Sequence, residues 1–152
     1  MPHLFQHGDF ILHSGAKSTW KIECDALTCD DWRGLAAIAI TLLPRFTEVY
    51  GVPKGGIPLA NAMFNYRATT GEESPRLRLI CEDVVTTGSS IEEFRKLIEL
   101  ERGKCPTIGL TVFARGVCPD WILPLFQMPT MPLAWLKNFY TSLPLEEDCD
   151  AR

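Results

Sequence analysis

Twelve consecutive residues indicate the fold and the chemistry of this chain: Leu79-Ile80-Cys81-Glu82-Asp83-Val84-Val85-Thr86-Thr87-Gly88-Ser89-Ser90. The apolar run over 77–81 predicts a buried strand, and two adjacent acids follow it. After them comes a loop of small residues, and a helix is predicted to begin at Ser89 or Ser90. In open α/β sheets, ligands bind outside the carboxyl ends of the strands, so this segment predicts a binding site.

The residue types in this segment suit a sugar phosphate. The carboxylates of Glu82 and Asp83 can accept hydrogen bonds from vicinal hydroxyls. The loop over 86–90 offers backbone N–H groups and side-chain hydroxyls to an anion at a helix N-terminus. Two solvated acids before an ordinary loop are the alternative, but five small residues in succession are more than such a loop requires. We therefore predict that residues 86–90 bind a phosphate group.

The composition is that of an ordinary globular chain of 152 residues, 46% hydrophobic and 22% charged. This length predicts one domain over residues 1–152 with its own core. The net charge of −4 gives no domain-wide basic surface, so no nucleic acid partner is expected. No signal peptide or membrane-length apolar run is visible, and the six cysteines form no CxxC pair. We therefore expect a cytoplasmic protein with free thiols and no membrane partner.

Strands and helices alternate along the chain with short loops between them. The predicted strands are 10–13, 19–24, 47–52, 77–81 and 107–114, and the predicted helices are 32–43, 57–66 and 90–102. Asp30 or Asp31 is expected to cap the first helix, and Ser89 with Glu92 fits a capping box at the third. This alternation predicts a parallel sheet with right-handed crossovers.

The two ends of the chain are less regular. An irregular stretch with one short helix is predicted over 119–132, a candidate last strand over 131–136 and a solvated acidic tail over 144–152. Three histidines stand near the N-terminus, at positions 3, 7 and 13. Their spacing could form a metal site, but no downstream residue supports one, and surface positions are the simpler interpretation.

A second glycine-rich loop also stands between a strand and a helix: Gly51-Val52-Pro53-Lys54-Gly55-Gly56-Ile57-Pro58. Its glycines permit a close approach of the backbone, and Lys54 adds a positive charge, which together suit a diphosphate. The spacing matches neither GxxxxGK[ST] nor GxGxxG. An ordinary Gly/Pro turn is therefore the alternative.

Two more cations stand at informative positions. Lys17 lies in the turn of a predicted N-terminal hairpin, where solvation is its ordinary state. Arg115 ends the last buried strand, on the same sheet edge as Lys54 and Asp83 if the strands are parallel. Its guanidinium could hold a carboxylate or carbonyl of a substrate ring, and a strand-end Arg in solvent is the alternative.

Four segments together resemble the orotate phosphoribosyltransferases, which are type I phosphoribosyltransferases. FILHSGAKSTWKIECDAL resembles their N-terminal hairpin, GVPKGGIPLANA their diphosphate loop, LICEDVVTTGSS their motif for phosphoribosyl diphosphate (PRPP), and LTVFARG the strand after it. The segments occur in family order and cover most of residues 8–116. The match is most specific in the PRPP motif and the diphosphate loop.

The resemblance implies an α/β fold with a central, mostly parallel sheet flanked by helices and a small N-terminal hairpin or hood over 1–30. It implies transfer of the 5-phosphoribosyl group of PRPP to a nucleobase, an orotate-like pyrimidine or related ring, with release of diphosphate. A homodimer and a magnesium ion bridged by substrate and water near the acidic pair are also implied. The implied residues are catalytic Glu82, Asp83 and Lys17, PRPP-binding Lys54, Gly55, Gly56, Thr86, Thr87, Gly88, Ser89 and Ser90, and base-binding Arg115.

One interval departs from the family pattern. Orotate-type enzymes have a long mobile loop with a catalytic Lys before the PRPP strand, whereas residues 67–76 here are few and include no Lys and no His. The usual mobile catalytic loop is therefore predicted to be missing or replaced from elsewhere in the molecule. Two other functions stay open, a catalytically silent regulatory protein that binds PRPP or a nucleotide, and a structural protein that keeps only the fold.

Overall fold

A computed structural model of the chain describes residues 2–12, 15–68 and 76–128. Strands β3 to β6 form a four-stranded parallel sheet in that order, and β1 and β2 form a separate antiparallel hairpin. The α/β class, the parallel sheet and the N-terminal hairpin are thus confirmed. The elements are β1 (Phe5–Ile11), β2 (Lys17–Ile22), α1 (Cys29–Leu42), β3 (Glu48–Gly51), α2 (Ile57–Met63), β4 (Arg78–Val85), α3 (Ser89–Arg102), β5 (Thr107–Ala114) and β6 (Ile122–Gln127), with short 3-10 turns at Cys24–Ala26 and Phe64–Tyr66.

The central strand β4 buries residues on both of its faces, since successive side chains of a strand point to opposite sides. Leu79 packs in one cluster with Ala36 of α1 and Leu59 of α2. Ile80 belongs to a second cluster with Ile91 of α3. Helices therefore cover both faces of the sheet, which is why β4 reads as a continuous apolar run in the sequence.

The beginnings of two helices correct the sequence prediction. Thr28 caps α1, because its hydroxyl accepts the Asp31 N–H while the Asp31 carboxylate accepts the Thr28 N–H. The prediction of Asp30 or Asp31 as the cap is wrong, and α1 starts at Cys29. At α3 the cap is Gly88 without a side-chain bond, so the predicted Ser89–Glu92 capping box is also wrong. Glu92 pairs instead with Arg95, at 2.6 Å between carboxylate and guanidinium.

Strand β4 extends beyond its predicted bounds, and strand β6 stands where no strand was predicted. β4 continues through Glu82 and Asp83 to Val85, whereas the sequence predicted an end at Cys81, because pairing with β5 keeps this backbone extended. The segment predicted as irregular with a short helix over 119–132 contains β6, so that prediction is wrong. β6 lies at the edge of the sheet, where Pro124 is tolerated although it lacks an N–H.

Several predictions concern residues outside the described part of the chain. The candidate strand over 131–136, the acidic tail over 144–152 and His13 all lie there, as does most of the interval 67–76. His3 and His7 are exposed. Cys81 is a buried free thiol, whereas the free thiol Cys118 is only half-buried. In residues 2–12, 15–68 and 76–128, no helix combines the length and the hydrophobicity needed to span a bilayer.

Aromatic contacts attach the hairpin to the sheet. The ring of Phe5 on β1 meets the ring of Phe113 on β5 edge to face, with 6.0 Å between the ring centres. Phe113 also stacks on Phe126 of β6 at 5.5 Å. Pairs of this kind stabilise beyond the area that they bury. They hold the hairpin near the carboxyl ends of β5 and β6.

A buried arginine joins the elements at the opposite, amino end of the sheet. The Arg78 side chain is 0% exposed, and its Nε donates to Glu48 Oε2 at 3.0 Å. Both terminal guanidinium nitrogens donate to the Gly103 carbonyl at 3.3 Å, and Arg76 also pairs with Glu48. A fully buried cation requires such partners, because its desolvation is otherwise uncompensated.

We expect Glu48→Gln to lower the free energy of unfolding by on the order of 3 kcal/mol, because the buried guanidinium of Arg78 then loses its counter-charge. Urea denaturation measures the change. Asp30→Asn is the matched control, since it breaks an ion pair with Arg33 in which both side chains are largely exposed and should change stability little. Equal effects of the two substitutions would contradict a stabilising role for the buried cluster.

Candidate functional site

A cleft of about 830 Å³ opens between the carboxyl edge of the sheet and the N-terminal hairpin. Residues 52–55, 82–91 and Arg115 line it from the sheet side. Residues 10–12 and 21–25 line it from the hairpin side. This is the place where ligands bind in open α/β sheets.

The cleft collects most of the residues predicted from the sequence. Its lining includes Lys54, Gly55, the acidic pair of β4, the whole loop 86–90 and Arg115. Two predicted residues are not part of this lining. Lys17 is exposed at the start of β2. Gly56, the last residue of the 51–56 loop, packs against the Cys81 carbonyl. A catalytic role for Lys17 therefore stays a prediction.

The glycines of the 51–56 loop permit close contact with β4. The Val52 N–H donates to the Cys81 carbonyl at 2.9 Å. A Cβ at Gly56 would overlap the same carbonyl oxygen, and a Cβ at Gly55 would overlap the Asp83 carboxylate. The Pro53–Lys54 peptide bond is cis. Small residues are thus needed to bring Lys54 and Asp83 into one wall of the cleft.

The loop 86–90 leaves the start of α3 open toward the cleft. Gly88 has a φ of +82°, a left-handed conformation that favours glycine, and provides no side-chain cap. The hydroxyls of Thr87 and Ser89 lie 2.9 Å apart and are exposed together with Ser90. The Ser89 N–H donates to the Thr87 hydroxyl at 3.4 Å, and the other N–H groups of the first turn and the positive end of the helix dipole suit an anion.

Glu82 is buried although it lines the cleft. Only 7% of the Glu82 surface is exposed, and the Glu82 carboxylate accepts a hydrogen bond from the Asp83 N–H at 3.2 Å. Burial, and next the neighbouring Asp83 carboxylate, raise the pKa of Glu82 to about 8. The acidic pair therefore carries fewer than two negative charges at neutral pH, which lowers the repulsion between its members.

The end of β2 and the turn after it contribute residues that the sequence did not single out. Lys21, Glu23, Cys24 and Asp25 all line the cleft from the hairpin side. Burial, and next the Asp83 carboxylate, raise the pKa of the Cys24 thiol, so the thiol keeps its proton beside Asp83. The alternating pattern over 19–24 predicts that Lys21 and Glu23 lie on one face of a strand. It does not indicate that this strand packs near β4.

Arg115 connects the end of β5 to the hairpin. Its guanidinium donates to the Ser18 hydroxyl at 2.9 Å and lies 3.9 Å from the centre of the Trp20 ring. Its backbone N–H donates to the Val85 carbonyl at 2.8 Å. Arg115 thus holds the hood over the cleft as well as lining it, and its role in orienting a base stays a prediction.

These features define the type I phosphoribosyltransferase fold. The structure is similar to orotate phosphoribosyltransferase from Aeropyrum pernix, with a TM-score of 0.65 and 19% identity over 91% of this chain and 94% of that one. It is similar to UMP synthase of Leishmania donovani, with a TM-score of 0.63 and 18% identity over 92% of this chain and 36% of that one. For orotate phosphoribosyltransferase of Mycobacterium tuberculosis H37Rv the TM-score is 0.55, with 16% identity over 82% of this chain and 89% of that one. No protein-family model and no curated protein matches the sequence.

The raised pKa of Glu82 predicts a stability that falls as the pH rises. The folded chain binds this proton up to about pH 8, whereas the ordinary pKa is 4.5, so the stabilisation is complete below about pH 4.5 and is lost through pH 8. Glu82→Gln should remove this pH dependence. At pH 9 its free energy of unfolding should exceed that of the wild type by on the order of 3 kcal/mol. Urea denaturation at pH 5, 7 and 9 measures it, with exposed Glu101→Gln as the control. Parallel pH profiles for wild type and Glu82→Gln would refute the prediction.

Gly55→Ala should displace the Asp83 carboxylate, because the new Cβ overlaps that carboxylate. It should therefore lower the affinity for any ligand that the carboxylate binds. Gly34→Ala is the matched control, since nothing lies within 4 Å of a Cβ at that exposed position of α1. It should raise the free energy of unfolding by about 0.5–1 kcal/mol through helix propensity and leave binding unchanged. Calorimetric titration with PRPP and thermal melting of both variants separate the two effects.

Proposed function

We propose that this chain is a phosphoribosyltransferase that transfers the 5-phosphoribosyl group of PRPP to a nucleobase, with release of diphosphate. The observation that carries the proposal is the meeting of three kinds of group in one cleft. An acidic pair, an open helix N-terminus and a glycine-rich loop with Lys54 all line it. These groups suit the ribose hydroxyls, the 5′-phosphate and the diphosphate, which are the three parts of PRPP.

The ribose and its phosphate are assigned to β4 and α3. The Asp83 carboxylate accepts a hydrogen bond from its neighbour Val84 at 2.7 Å and keeps lone pairs for the vicinal hydroxyls of a ribose. The 5′-phosphate is assigned to the loop 86–90, where backbone N–H groups, hydroxyls and the helix dipole favour an anion. The short distance along the chain between the two groups matches the small size of a pentose phosphate.

The leaving diphosphate is assigned to the 51–56 loop. As the bond between the anomeric carbon and the diphosphate oxygen breaks, the electron pair leaves with diphosphate. A ring nitrogen bonds to the carbon and gives its proton to diphosphate or water. Lys54 stabilises the growing negative charge, and the Asp83 carboxylate stabilises the positively charged sugar. Catalysis of this kind depends on placing charges in advance, which rigid strand ends achieve.

Magnesium fits this site as part of the PRPP complex. The ion prefers oxygen ligands and is commonly held by one or two carboxylates together with substrate phosphates. Substrate and water would bridge the ion to Glu82 and Asp83, and no group of three or more His, Cys, Asp or Glu in the described residues forms a metal site of protein ligands alone. Bound magnesium would supply positive charge to the diphosphate.

The acceptor is proposed to be an orotate-like pyrimidine or related ring, with Arg115 facing it. Arg115 lines the cleft and has donors beyond the one that it gives to Ser18. A homodimer stays a prediction from the resemblance and a cytoplasmic location a prediction from the composition, and light scattering measures the assembly.

A binding protein without turnover is the second candidate function. The contacts of Arg115 with Ser18 and Trp20 favour it, because a guanidinium used to hold the hood is less available to orient a base. Such a protein would bind PRPP or a nucleoside monophosphate and release no diphosphate.

The test is diphosphate release from PRPP and magnesium with a panel of nucleobases, alongside calorimetric titration with PRPP and nucleoside monophosphates. We expect turnover with at least one base. Asp83→Asn should reduce transition-state stabilisation by about 2–4 kcal/mol in kcat/KM, the scale of one preorganised electrostatic group. Binding without turnover would support the second candidate, and a folded protein that binds no PRPP would refute both.

A further inference from the structure

The hairpin wall of the cleft carries an ion pair that the proposed reaction has not used. Lys21 Nζ lies 2.7 Å from Glu23 Oε2, and the two side chains are 32% and 29% exposed. Lys21 also lies 5.2 Å from the centre of the Phe10 ring, which lines the same cleft. The pair thus lies at the surface of the cleft, where both the ligand and water can reach it.

The charge balance of the cleft makes this lysine important. The lining contains four acids, Glu23, Asp25, Glu82 and Asp83, and three cations, Lys21, Lys54 and Arg115. Because the pKa of Glu82 is raised, the negative and positive charges of the lining nearly balance at neutral pH. Lys54 has no ion-pair partner within 4.0 Å among residues 2–12, 15–68 and 76–128. A diphosphate carries more negative charge than one ammonium group neutralises, so further positive charge is needed near it.

We propose that Lys21 is a second cationic contact for the diphosphate of PRPP, and that Glu23 holds it in place until the ligand arrives. The inference rests on the proposed function of the cleft. Lys54 belongs to the sheet wall and Lys21 to the hairpin wall, so the two lysines line the cleft from its two sides. Glu23 then competes with the ligand for Lys21.

The exchange is physically easy. A partly exposed ion pair contributes little to stability, because water screens it and two long side chains are ordered to form it. A diphosphate carries more negative charge than a single carboxylate, so it attracts the Lys21 ammonium group more strongly. Glu23 can turn to water when it loses Lys21, since its side chain is partly exposed. The backbone of β2 need not move for this change of partner.

The test is calorimetric titration of the full chain with PRPP in the presence of magnesium. Lys21→Met should weaken PRPP binding about tenfold, the scale of one lost charge-assisted contact. Glu23→Gln should strengthen it by about threefold or more, because the competing carboxylate is gone. In the Lys21→Met background, Glu23→Gln should bring no gain, since its effect acts through Lys21.

Three controls fix the interpretation. Lys104→Met makes the same change at an exposed position just before the amino end of β5 and should leave PRPP affinity unchanged. Lys21→Arg keeps the charge and should stay within a few-fold of the wild type. Ribose 5-phosphate lacks the diphosphate, so Lys21→Met should leave its affinity unchanged. Thermal melting confirms that each variant is folded, and the double variant leaves no unpaired Glu23 if Lys21→Met alone is unstable.

The outcomes separate this inference from the proposed function. A wild-type chain that binds no PRPP refutes the proposed function, and the inference falls with it. A wild type that binds PRPP while Lys21→Met binds it equally well overturns the inference alone. Equal weakening of PRPP and ribose 5-phosphate also overturns it, because the anion at Lys21 would then be a phosphate other than the diphosphate.

Discussion

The close contact between the 51–56 loop and β4 is the constraint on which the cleft depends. Gly55 and Gly56 lie so near Asp83 and the Cys81 carbonyl that any side chain at either glycine would overlap them. The 51–56 loop and the end of β4 are consequently fixed against each other by close packing at the two glycines, and together they form one wall of the site. A site positioned in this way holds its charges at fixed distances, which is what electrostatic catalysis requires.

The second constraint is the attachment of the hairpin. Phe5 packs on Phe113, and Arg115 bonds to Ser18 and lies over Trp20, so the hairpin is held at two places along β5. Without these contacts the sheet edge would be open to solvent, and the hairpin's cations and acids would be far from the acidic pair. Partial enclosure strengthens each charge interaction in the cleft, because fewer water molecules screen it.

Burial also controls which groups in the cleft are charged. The raised pKa values of Glu82 and Cys24 have the same first cause, which is removal from water, and Asp83 reinforces both. A charged group is also buried at the amino end of the sheet, where Arg78 has a carboxylate and a carbonyl as hydrogen-bond partners. At the cleft edge, a ligand can therefore change the protonation of titratable groups. At the opposite edge, the buried arginine already has its hydrogen-bond partners within the protein.

Sequence by itself determined the order of strands and helices as far as β5, the acidic pair and both loops of small residues, because apolar periodicity and side-chain size are local properties. The tertiary structure decided the rest through contacts between residues far apart in the chain. Pairing with β5 extends β4 to Val85 and makes a strand of the proline-containing segment at 122–127. Docking of the hairpin brings Lys21 and Cys24 to the cleft, and no local pattern could show this, because it depends on where a separate sheet packs.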